Sequence, residues 1–132
     1  MNVVIEQKRI LIDGRKLEYY PYYFSIWKEG IDHRITVKNV LDQWATALES
    51  LESRDAVYLP YFLCDQICNY LKAVREGRDV VLTDLEAEDA GYAMDLDDLR
   101  PEIYNEPKLV ESNIPKFFGQ YPMSELIHAL RN

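Results

Sequence analysis

The sequence predicts an α+β fold: a single domain over residues 1–132, with an antiparallel sheet packed by about three helices. Three observations carry this. Asp13-Gly14 lies between apolar runs and is a tight hairpin signal, because glycine tolerates the positive φ such a turn needs. Apolar residues recur at steps of three and four in the middle and at the end of the chain, the mark of helices with one buried face. Strands and helices mix without the regular alternation of a doubly wound sheet.

In chain order, Val3-Val4-Ile5 and Ile10-Leu11-Ile12 read as strands on the N-terminal side of that turn. Leu17 to Trp27 follows, rich in tyrosine, and aromatic residues favour a pleated, half-buried surface. Pro21 has no amide proton, which places it at an edge or a break. Glu29-Gly30 suggests a turn, and Ile31 to Val37 a short return strand. The clearest helix covers about residues 39–52, with Val37, Val40, Leu41, Trp44, Leu48 and Leu51 as its stripe and Thr36 or Asn39 as its cap. Ala56 to Leu59 reads as a short strand ending at Pro60.

Leu63, Ile67, Tyr70, Leu71 and Val74 again fall at helical spacing, so a helix is expected over 63–76, ended by Gly77. On it Cys64 and Cys68 lie one turn apart. They are expected to be reduced, buried and free of metal, since free cysteine behaves as a small apolar side chain. Val80-Val81-Leu82 reads as a buried strand, and the acidic run after it as loop and short turns. A last helix over 122–131 carries Met123, Leu126, Ile127 and Leu130, with Pro122 in its first turn.

Charge is the unusual property. Residues 79–111 hold eleven acids against Arg100 and Lys108, a net −9. The other 99 residues hold thirteen bases and twelve acids, a net +1. The 48% hydrophobic content is far too high for a disordered acidic tail. An overall pI near 4.7 opposes binding to nucleic-acid phosphates and favours a basic protein partner. The sequence has neither a leader peptide nor eighteen consecutive apolar residues, so a cytoplasmic protein without membrane contact is expected.

Motifs for chemistry are few. Asp95-Leu96-Asp97 with Glu106 mimics parts of a calcium loop, but Arg100 stands where that loop needs glycine. Asp32-His33 lacks a third positioned group. No glycine-rich phosphate loop, serine elbow or His-Glu-x-x-His is present. No cofactor is expected.

Two aromatic openings, Tyr20-Pro21-Tyr22-Tyr23-Phe24 and Tyr58-Leu59-Pro60-Tyr61-Phe62, accompany the acidic run Asp84 to Asp98 in one domain. In this the chain resembles the small acidic immunity proteins of bacterial toxin–immunity systems, contact-dependent growth inhibition included. The resemblance implies stoichiometric binding of a cognate toxin, often a basic nuclease, without catalysis. The expected contacts are Asp84, Glu86, Glu88, Asp89, Asp95, Asp97 and Asp98, with Tyr92 as an aromatic anchor. Two other readings stand beside it: a small metal-dependent hydrolase using Asp95, Asp97 and Asp98 with His33, and an adaptor domain that binds through the aromatic sheet.

Overall fold

The turns at Asp13-Gly14 and at Gly77 are set by residues that accept a left-handed backbone. In the computed structural model, which describes residues 1–6, 9–18, 33–63, 67–88 and 95–132, Asp13 and Gly14 have φ of 48° and 79°. Two positive φ values in succession twist the chain as the flanking strands need. They join β2 (Arg9–Ile12) to β3 (Arg15–Glu18), and β1 (Val3–Ile5) pairs antiparallel with β2 on its other side. Gly77, with φ 62°, opens the second turn, between β5 (Ile67–Glu76) and β6 (Asp79–Glu88).

Among the described residues, two antiparallel sheets and three helices make up one small α+β domain. The second sheet runs β4-β5-β6-β7, with β4 (Val57–Leu63) and β7 (Lys116–Pro122) at its edges. Helix α1 (His33–Glu49) continues into a 3-10 turn (Ser50–Glu52); α2 (Arg100–Ile103) is a single turn; α3 (Met123–Arg131) closes the chain. Helices α1 and α3 pack together, tied by Lys38 Nζ donating to Leu130 O at 2.6 Å and by an Arg131–Glu49 ion pair. One apolar core joins Ile10, Ile12 and Leu17 of the first sheet to the α1 stripe, the centre of the second sheet and Leu126 and Leu130. Among the described residues no helix is long and apolar enough to cross a membrane.

The stripe expected on α1 is buried throughout, from Val37 to Leu51. Its start differs. The helix begins at His33, so 33–37 is no return strand and neither Thr36 nor Asn39 caps it. The strand expected at 56–59 continues through Pro60 to Leu63. An edge strand tolerates a missing amide, and the register shifts at Pro60/Phe62 as a bulge. Trp44, 1% exposed, donates its indole N–H to Pro60 O at 3.2 Å, which fixes helix against edge.

The helix expected over 63–76 is absent. Ile67–Glu76 is strand β5, paired with β4 and β6. Tyr70 and Leu71 are adjacent in sequence and both buried, so the sheet is covered on both faces there. Two-sided burial erases the alternation that marks a strand, and the remaining apolar positions then mimic a helical stripe. Cys68 is in no disulfide and is buried, on a strand rather than a helix. Cys64 lies outside the described residues, as do the tyrosine run, Glu29-Gly30 and Asp32. The first half of the acidic stretch, expected as loop, is the strand β6 as far as Glu88.

Candidate protein-binding surface

Along β6, residues Val80, Leu82, Asp84, Glu86 and Glu88 point to one side of the sheet, since strand side chains alternate. The first two are buried, Asp84 is half-buried, and Glu86 and Glu88 are exposed. The strand thus carries one face out of the core and into solvent, and the chemistry changes from apolar to acidic at the same point.

Asp84 is the pivot. The Tyr61 hydroxyl, on β4, donates to its Oδ1 at 2.7 Å, and Lys116 of β7 is its cross-strand neighbour. Burial pushes the Asp84 carboxyl above the usual range, against the Tyr61 hydrogen bond and the charge of Lys116; Glu86 adds to the rise. Burial likewise pushes the Tyr61 hydroxyl far up, with the Asp84 hydrogen bond adding to it. The raised Tyr61 value keeps that hydroxyl protonated, as the donor to Asp84. Beyond Asp84 the edge of β6 is taken over by another segment. Glu88 N donates to Lys108 O at 2.8 Å, Val110 N to Glu86 O at 3.1 Å, and Glu86 N to Asn113 Oδ1 at 2.8 Å. The backbone under the carboxylates is thereby held on both edges, by β5 and by 108–113. Asn69 and Ile67 of β5 stand opposite Glu86 and Glu88, and Lys108 Nζ lies 3.3 Å from Glu88.

The second acidic group is built differently. Asp95, Asp97 and Asp98 form a tight turn, in which Asp98 N donates to Asp95 O at 3.0 Å and Asp97 N to Asp95 Oδ1 at 2.9 Å. Gln43 of α1 grips this turn with both ends of its amide: Nε2 donates to Leu96 O at 2.8 Å, and Oε1 accepts from Leu99 N at 2.7 Å. Asp98 is held by Arg100 through two bonds of 2.8 Å, and that guanidinium keeps its carboxyl down at about 2. Burial raises the Glu102 carboxyl, and Asp98 and Asp95 add to the rise. Between the turn and α1 runs an open cleft of about 490 Å³, lined by Asp42, Gln43 and Thr46 on one side and by Asp97, Asp98 and Tyr104 on the other. The Arg54 guanidinium lies 4.2 Å from the centre of the Tyr104 ring.

The structure brings Asp84, Glu86 and Glu88 onto one strand face and places Asp95, Asp97 and Asp98 in a separate turn against α1. Asp89 and Tyr92, and the side chain of His33, lie outside the described residues. No group of three or more His, Cys, Asp or Glu side chains that could hold a metal ion occurs among the described residues. Sequence reading named Tyr61 only within an aromatic opening and gave no role to it, Lys116, Asn113 or Gln43, whose partners lie 23 to 56 residues away or across a strand pair. Tyr61 and Lys116 are polar groups inside otherwise apolar or aromatic runs, whereas Asn113 and Gln43 stand beside other polar residues and carry no local signal. Compared with protein-family models, curated proteins and solved structures, the chain matches none.

Proposed function

We propose that this chain is a non-catalytic binding protein that neutralises a basic protein partner, as an immunity protein does a cognate bacterial toxin. The observation that supports this most is the β6 face, where three carboxylates stand in a row on a backbone held at both edges. A fixed row of like charge draws in an oppositely charged protein and sets its orientation before contact. Asp84 adds a half-buried carboxylate, the type of group whose pairing with an arginine or lysine determines how long a complex lives. A nuclease is the expected class of toxin, since an enzyme that grips phosphate is itself basic.

The reading predicts a kinetic division along the strand. Glu86→Gln and Glu88→Gln, at exposed positions, should slow association and flatten its salt dependence, while dissociation changes little. Asp84→Asn should instead speed dissociation, with a loss of about 2–5 kcal/mol if the carboxylate is desolvated against a cation of the partner. Stopped-flow or surface-based kinetics against the product of the adjacent gene separates the two effects. Identical kinetics for all three variants and the parent would refute the assignment.

A further inference from the structure

Among the described residues, no element covers one part of the second sheet on its outer side. Its residues form three cross-strand rows over β5, β6 and β7. The central row is Val74, Val81 and Gln120; on one side of it stand Lys72, Thr83 and Phe117, and on the other Glu76, Asp79 and Pro122. Val74 is 37% exposed and Phe117 63%, while Leu71, Ala73, Val80 and Leu82 on the opposite face are buried. Neither Lys72 nor Glu76 is in an ion pair with a described residue.

We infer that this face binds a second copy of the same chain across a two-fold axis. The axis lies between the two sheets, crosses the strands, and passes over the central row. Such rotation reverses position along a strand and keeps order across strands. Lys72 then faces Glu76 of the second copy, Phe117 faces its Pro122, and Thr83 faces its Asp79. Val74, Val81 and Gln120 meet their own counterparts. Every contact occurs twice, as an isologous interface requires. The charges are complementary only in this arrangement, because Lys72 and Glu76 of one copy are separated by four residues of extended strand, about 13 Å. Stacked sheets cross at about 30°, which displaces a residue one row from the axis by about 3.5 Å, within the reach of a lysine side chain. The face's three rows of three residues are fewer than the roughly twenty a side of a standard interface, so the dimer is weak and depends on concentration.

Both sheet edges bear devices that discourage the alternative of edge pairing. β4 carries Pro60 and a bulge; β7 carries Lys116, a bulge at Phe118 opposite Leu82/Thr83 and a terminal Pro122.

Sedimentation velocity from about 10 µM to about 1 mM, a range that captures weak association, tests the inference. The average mass of the parent chain should rise towards twice that of the monomer. Phe117→Asp should keep it monomeric, and Lys72→Glu and Glu76→Lys should each weaken self-association at least tenfold. An equimolar mixture of Lys72→Glu with Glu76→Lys should associate as tightly as the parent, because each altered residue then meets an opposite charge. Circular dichroism confirms that the variants, all at surface positions, are folded. A parent chain that stays monomeric, a dimer indifferent to Phe117→Asp, or a mixture no tighter than its components overturns the inference. So does a Phe117→Asp variant that loses binding to the adjacent-gene product while self-association is unchanged, which assigns the face to that protein.

Discussion

Trp44 shows how much one side chain holds. Its ring is buried in the core and its N–H satisfies the carbonyl of Pro60, at the bulge of an edge strand. Trp44→Ala removes both, and should cost about 3–5 kcal/mol by chemical denaturation. A loss below about 0.5 kcal/mol, the usual range for surface changes, would contradict its placement. Asp84 makes an opposite prediction. Its raised pKa means that the folded state binds the proton more tightly than the unfolded chain does. The ionised form is thus the less stable one, and stability falls as pH rises from the ordinary aspartate value through the raised one. Asp84→Asn keeps an acceptor for the Tyr61 hydroxyl and removes the charge. Its melting temperature should exceed the parent's at pH 7, and the difference should vanish below the ordinary aspartate range. A variant less stable than the parent at pH 7 would mean that the Tyr61 hydrogen bond and the charge of Lys116 outweigh burial. Binding and stability therefore oppose each other at this position, since the same substitution is expected to shorten the life of the complex.

At the scale of elements, Gln43 links α1 to the acidic turn through two backbone bonds. Gln43→Ala leaves Leu99 N and Leu96 O without those partners, and should cost about 1–3 kcal/mol. Hydrogen exchange at residues 96–103 would then quicken more than in the second sheet; uniform protection across the chain would show that the amide does not hold the turn. What the sequence revealed of these elements follows from the physics of each. The α1 stripe was readable because one helix face is buried and the other is not. The Asp13-Gly14 hairpin was readable because few residue pairs accept that backbone. β5 was not, since burial of both Tyr70 and Leu71 leaves no alternation, and its apolar spacing fits a helix equally well. The acidic stretch was legible as charge but not as geometry. Whether Asp84 is half-buried depends on Tyr61 and Lys116, which only strand pairing brings near. Pairing over long sequence separations leaves no local pattern to read.

Across the whole molecule, the separation of charge is the property that fold and stability alone do not require. A solvated surface normally mixes both signs. Here one quarter of the chain carries a net −9 and the rest a net +1. Clustered like charges repel one another in the free protein, so their retention along β6 fits a role outside the chain. The most direct measurement is isothermal titration of this chain against the product of the adjacent gene at several salt concentrations. It should be run with the parent and with the Asp84→Asn/Glu86→Gln/Glu88→Gln variant. The account predicts a 1:1 complex whose affinity falls steeply with salt, and a variant that binds more weakly with a shallower dependence. An absence of binding by the parent, or equal affinity and equal salt dependence for the two chains, would contradict it.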